Sequence, residues 1–193
     1  NHNFVMPYLT NQFNTDAGKS EYETHDPEQA KDMIEELGYA GEEVVIITTR
    51  DYEEQYNASL VIQQELEKIG LNVELEVYDW PTLLEKIEDP NAYDLNIMGW
   101  GPQPEPTSYG YLRRGYDSGW ANSDELDQLI EDFRTQPSLD ETAEAYDGIL
   151  QWTADHIPFI KTGDSNRIAT TSTKVNNFQF QDGFIIWNMS VSK

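Results

Sequence analysis

Three short stretches put chemistry-bearing side chains at places where the chain changes direction: "TTRDY" at 48–52, "YDW" at 78–80 and "GWGPQPEP" at 99–106. Between them they carry Arg50, Asp51, Tyr52, Tyr78, Trp80 and Trp100. Aromatic faces with a guanidinium and a carboxylate are the equipment for holding a small solute, because rings cover its apolar surface while a few polar groups orient it. The third stretch is the most informative. From Asp94 to Leu112 it runs from a short apolar segment into Gly, Trp, three prolines and two tyrosines with no basic residue. Trp100 between Gly99 and Gly101 is poorly placed to be enclosed on every side, and glycine lets backbone approach a ligand closely. Packing of Trp100 beneath a proline-rich loop is the competing reading. Gln103 and Glu105 add polar groups just beyond it.

Bond-breaking chemistry finds little support. His2, His25 and His156 show no HExxH or triad spacing, and each reads as a surface or cap histidine. Carboxylate pairs occur at 35–36, 42–43 and 53–54, but a chain this acidic produces such pairs by chance, and they do not nominate a glycosidase. Neither a DxDxDG calcium loop nor a GxxxxGK phosphate cradle occurs. The absence of cysteine excludes thiol catalysis, disulfides and thiolate-bound zinc. No cofactor and no metal is expected. Asn57 with Ser59 and Asn188 with Ser190 fit the glycan acceptor pattern, which is short and weakly selective. An acidic α/β hydrolase using strand-end carboxylates remains the enzyme alternative, and a pure interaction domain is a third class.

The elements that must position these residues follow from periodicity. Residues 1–25 show little and read as an extended lead-in. In "THDPEQAKDMIEELGY", Asp26 fits an N-cap, Pro27 the first helical position and Gln29 the capping box, while Ala30, Met33, Ile34 and Leu37 form one stripe closed by Gly38. "EVVIITT" at 43–49 is a buried type of strand. A helix from about Glu53 to Ile69 follows, with Ala58, Ile62, Leu66 and Ile69 on one face. "NVELEVY" alternates; Asp79 caps a short helix bearing Leu83, Leu84 and Ile87; Tyr93 to Met98 predicts a third strand. Strand, helix, strand, helix, strand in succession predicts an α/β fold with parallel strands. Ligands of such sheets bind beyond the carboxyl ends of the strands, where the three opening stretches lie. Later, Ser123–Arg134 and Ser138 to about His156 predict helices, the second with a Ser138/Glu141 capping box. Ile157–Lys161, Arg167–Thr171 and "FQFQDGFIIWNMSV" predict strands, the last turning at Asp182 and Gly183.

Composition limits the classes further. The 193 residues, 38% apolar and 12% aromatic, suffice for one sizeable core. Against 36 Asp and Glu stand 12 Lys and Arg, a net of −24, which excludes nucleic acid as a partner because phosphate needs basic surface. The acids are spread through every segment, so they form a solvated skin that suggests a salty or otherwise demanding exterior. No stretch approaches the roughly 20 apolar residues of a membrane span. The opening "NHNFVMPYLT" has neither an initiator Met nor a leader, and the expectation is an excised piece of a longer protein.

"HDPEQAKDMIEELGY", the run from "VIQQELEKIG" through "NVELEVYDWPTLLEKI" to "GWGPQPEPTSY", then "ANSDELDQLI" and "HIPFI" together resemble the C-terminal lobe of the extracellular solute-binding proteins, family 5, of peptide and nickel ABC importers, from about residue 20 onward. The resemblance implies one lobe of a type II periplasmic-binding-protein-like fold: a mixed sheet with parallel βαβ units flanked by helices. It further implies a core over 26–163 and returning strands near a hinge over 164–193, with an N-terminal lobe missing from this chain. Function would be solute capture without catalysis, in the periplasm or outside the cell, tethered to the outer membrane face if lipidated. The partners would be a small solute or oligopeptide and an ABC permease. Trp80, and Trp100 with Gly101, stand where relatives line the ligand cavity, and Arg50 and Tyr52 join them from the first strand end. One departure concerns the loop after Trp100, where peptide-binding relatives often carry an Asp that pairs with the peptide ammonium. Here the loop reads Gly101, Pro102, Gln103, Pro104, Glu105, which leaves Glu105 for a cation and Gln103 for a neutral group.

Overall fold

Local signals set most element boundaries in the computed structural model of the chain, which describes residues 2–5, 12–13, 15–101, 103, 105–115, 121–165, 168–180, 184–185 and 187–192. After a short helix, α1 (Lys19–Tyr22), comes α2 (Pro27–Leu37), where the Asp26 carboxylate accepts from the Gln29 N–H at 2.9 Å and Gly38 ends the helix in the left-handed region. Then follow β1 (Glu43–Thr49), α3 (Glu53–Lys68), β2 (Asn72–Tyr78), α4 (Trp80–Ile87) and β3 (Leu95–Asn96). The three strands form one parallel sheet in the order β2-β1-β3, with Glu43 opposite Asn72, Thr49 opposite Tyr78 and Ile46 opposite Leu95. The predicted α/β fold with parallel βαβ units is thus present.

The backbone divides into two compact units, Asn1–Gly99 with Gln103–Thr162, and Trp100–Pro102 with Gly163–Lys193. In the first, Ile46 and Ile47 of β1 are fully buried, and Ile47 packs with Leu83, Ile87 and Tyr93. Two 3-10 turns, Pro106–Ser108 and Gly110–Leu112, precede α5 (Asp124–Thr135) and α6 (Leu139–His156), which begin on the Ser123 and Ser138 caps. The lead-in is more than an extended strap. Phe4, Val5 and Phe13 are buried, with the Phe4 ring 5.6 Å from Tyr146 and 5.3 Å from Phe159, and Phe13 5.8 Å from Phe133. Asn3 ties this segment inward, donating to the Phe13 carbonyl at 2.7 Å and accepting from the Tyr146 hydroxyl at 3.0 Å. Burial pushes that hydroxyl well above its ordinary pKa.

Several expectations are corrected. The third strand pairs only over Leu95–Asn96, because Tyr93 turns into the core, with its hydroxyl donating to the Ile87 carbonyl at 3.2 Å, and the backbone beyond Asn96 meets a side chain instead of a strand. Ile157–Lys161 is irregular: Ile157 takes a left-handed conformation at the end of α6, and the Lys161 N–H donates to the Tyr22 hydroxyl at 2.6 Å. Met33 and Leu37 of the α2 stripe and Leu84 of α4 are exposed. Periodicity identifies an apolar stripe but not what covers it. On α3 the most buried residues are polar, Gln55 and Ser59, rather than the predicted apolar face.

In the second unit, β4 (Val175–Asn176) pairs antiparallel with β7 (Ser190–Val191), and β5 (Gln179–Phe180) with β6 (Phe184–Ile185). These antiparallel pieces stand as separate two-stranded sheets. Ile168–Thr171 is irregular, whereas Arg167 and the expected turn at Asp182–Gly183 lie outside the described residues.

Candidate solute-binding site

The carboxyl ends of the parallel strands carry the predicted residues, and local bonds decide what each can do. At the end of β1, the Asp51 N–H donates to the Thr49 hydroxyl at 3.1 Å, which folds the chain into a tight turn before α3. From that turn Arg50 swings toward α3: its Nη2 donates to the Tyr56 hydroxyl at 3.0 Å and its guanidinium lies 4.8 Å from the Tyr56 ring centroid. Arg50 is exposed, so the pair presents a fixed cation on this edge.

Tyr52 and Trp80 meet edge to face, with ring centroids 4.9 Å apart and planes at 81°. Such a pair offers two differently oriented aromatic surfaces and holds both rings in place. Trp80 is half-buried against the cluster around Ile47, while Tyr52 is 41% exposed. The start of α4 is capped by two carboxylates. Asp79 Oδ1 accepts from the Thr82 N–H at 2.9 Å, and Asp51 Oδ2 accepts from the Trp80 N–H at 2.7 Å. The hydrogen bond from the Thr82 backbone holds the Asp79 carboxyl below its ordinary pKa. Beside it, the Tyr78 hydroxyl donates to Glu76 at 2.6 Å, and that carboxylate pushes the phenol pKa up.

Glu105 has a different place from the one its charge suggests. It caps the 3-10 turn at Pro106–Ser108, accepting from the Thr107 N–H and hydroxyl at 2.7 Å each and from the Ser108 hydroxyl. Arg134 of α5 locks the same turn by donating to the Thr107 hydroxyl at 3.0 Å and carbonyl at 3.1 Å. Gln103 is half-buried in the same unit. Trp100 and Gly101, both half-buried, belong to the second unit. The structure therefore brings Tyr52 and Trp80 together, turns Arg50 onto α3 and commits Glu105 to its own loop. Sequence reading delivered Asp51 to the edge without assigning it a bond, and missed Gln55, whose polar side chain resembles any solvated helix position. Among the described residues no group of three or more His, Asp or Glu is arranged to hold a metal ion.

Residues 3–122 match the family described as bacterial extracellular solute-binding proteins, family 5 Middle. The chain belongs to that family. A probable peptide ABC transporter periplasmic-binding protein of Sinorhizobium fredii is 30% identical over 176 residues, covering 85% of this chain and 33% of the relative. The oligopeptide-binding protein AppA from Bacillus subtilis, solved with a nonapeptide, superposes with a TM-score of 0.67 at 18% identity, covering 88% of this chain and 38% of that one. NikA from Staphylococcus aureus, solved with Ni(L-His)2, gives 0.70 at 19% identity with the same coverage. At those identities the likeness is one of fold, and it places the chain in the type II periplasmic-binding architecture. This family 5 chain spans about a third of the length of the curated relatives it matches.

Proposed function

We propose that this chain supplies one wall of a solute cavity in the substrate-binding component of an ABC importer, with a peptide as the favoured class of solute. The observation that carries the reading is the Tyr52–Trp80 pair, fixed at 4.9 Å on the carboxyl edge of a parallel sheet. In this mechanism two lobes close around the solute, expel water and clasp it between aromatic faces and a few polar groups, and the closed form engages a membrane permease. Trp80, Tyr52, Trp100 and Gly101 provide contact surface, Arg50 a fixed cation for a carboxylate and Gln103 a neutral hydrogen-bonding group, while Glu105 acts through the shape of its loop. No bond is made or broken. The family setting favours the periplasm, or the outer membrane face if a lipid anchors the protein. The relatives being transport proteins, and Asp51 and Glu105 being engaged in bonds to backbone, both speak against the hydrolase reading. Peptide and glycoside turnover assays are expected to be blank.

Trp100→Ala tests the assignment. In the complete two-lobed protein it is expected to leave the melting temperature nearly unchanged while weakening binding of a defined peptide pool, measured calorimetrically, by about 1–3 kcal/mol. Were Trp100 core filler, the change would instead cost about 3–5 kcal/mol of stability with affinity intact.

A further inference from the structure

The strand order β2-β1-β3 gives the turn after β1 a strand end on either side. One side chain of that turn and one from the start of α3 reach in opposite directions. Toward β2, Asp51 Oδ2 accepts from the Trp80 N–H at 2.7 Å, a first-turn donor that has no intrahelical partner. Toward β3, Gln55 in the first turn of α3 is only 6% exposed. In the amide orientation that satisfies both groups, it donates to the Ile97 carbonyl and accepts from the Gly99 N–H, each at 3.2 Å. Ile97 and Gly99 lie past the last strand pair, Ile47 with Asn96, so the side chain replaces a missing strand neighbour. A Cβ at Gly99 would stand 3.2 Å from the Gln55 amide, which is why the close approach suits glycine.

We propose that Asp51 and Gln55 are positioning residues for solute capture: a single connection clamps the backbone at Trp80 and the backbone immediately before Trp100. The start of α4 at Trp80 and the backbone up to Gly99 are then both held from the region that follows β1. The proposal rests on the reading of these two rings as solute contacts, but the clamp itself is measurable without solute. Burial makes the choice of glutamine specific. An apolar side chain of similar length offers neither group a partner, and an ionised carboxylate accepts from Gly99 but has no proton for Ile97. A protonated carboxylic acid has both functions.

The test uses the 15N-labelled chain and follows the Trp80 and Gly99 amides together with the Trp100 indole N–H, the last identified by its loss in Trp100→Phe. Gln55→Met is expected to move the Gly99 and Trp100 signals and to speed Gly99 amide exchange on the order of tenfold, leaving the Trp80 amide in place. Asp51→Ala is expected to do the converse. Gln55→Glu supplies a signature that loss of stability alone does not produce: as pH falls and the new carboxyl takes up a proton, the Gly99 and Trp100 signals return toward the wild-type positions, and they depart again reversibly as pH rises. Wild type under the same titration is the control. Unmoved Gly99 and Trp100 signals in folded Gln55→Met overturn the proposal; should that variant not fold, a Gln55→Glu spectrum that tracks wild type at every pH overturns it equally. Unchanged solute affinity in Trp100→Ala would remove the ring from the binding site while leaving the clamp standing, so the two failures are distinguishable.

Discussion

Glu105 shows how a residue's role depends on what it already holds. Three donors from Thr107 and Ser108 converge on its carboxylate, and Arg134 secures the other side of Thr107, so an incoming ammonium would have to compete with bonds that shape the loop. Glu105→Ala is therefore expected to lower stability by about 1–2 kcal/mol in thermal melts. Affinity for a peptide in the two-lobed protein should change by less than about threefold. An affinity loss with an unaltered melting curve would restore Glu105 as a direct contact. Its capping role was hidden in sequence because the turn it opens, Pro106–Ser108, has no periodicity; Glu before Pro-Thr-Ser was the only trace. Gln55 was hidden for another reason. Polarity on a helix normally signals solvent, and only the position of Ile97 and Gly99 shows that this buried amide serves backbone past β3.

At the scale of elements, caps and stripes were read with unequal success. Asp26, Asp79, Ser123 and Ser138 all accept from the backbone N–H three residues on, because capping is a contact between near neighbours in sequence. Ser138 also donates to the Glu141 carboxylate at 2.6 Å, making both halves of that pair useful at the start of α6. Ser138→Ala is expected to cost about 1 kcal/mol, read as a lowered denaturation midpoint at unchanged slope, whereas Ser138→Asp should largely preserve stability. Boundaries that depend on partners fared worse. The third strand shrank to two residues where Gln55 took over its backbone, and the segment after α6 failed to form a strand once Ile157 turned left-handed and Tyr22 captured Lys161.

For the whole molecule, charge dominates. A net of −24 over 193 residues leaves most carboxylates without a cation, and described ion pairs such as Lys68–Glu65 and Arg114–Asp127 are exposed and individually weak. Self-repulsion between surface charges is screened within about 10 Å at 0.1 M salt, so the melting temperature is expected to rise from low to molar NaCl. A flat or falling curve would remove self-repulsion as a term in stability. The sequence by itself determined the α/β order, the starts of α2 to α6, the acidic skin and the carboxyl-edge location of Arg50, Tyr52 and Trp80, because these follow from short-range periodicity, capping and composition, whereas α1 falls in the stretch read as extended. Only the tertiary structure decided what the groups on that edge hold: Asp51 holds Trp80, Arg50 is steadied on Tyr56 with its cation still exposed, Gln55 holds the backbone after β3 and Glu105 its own loop. Two of those choices, Asp51 with Trp80 and Gln55 with Gly99, join segments far apart in the chain, and no local pattern encodes a distance of that kind.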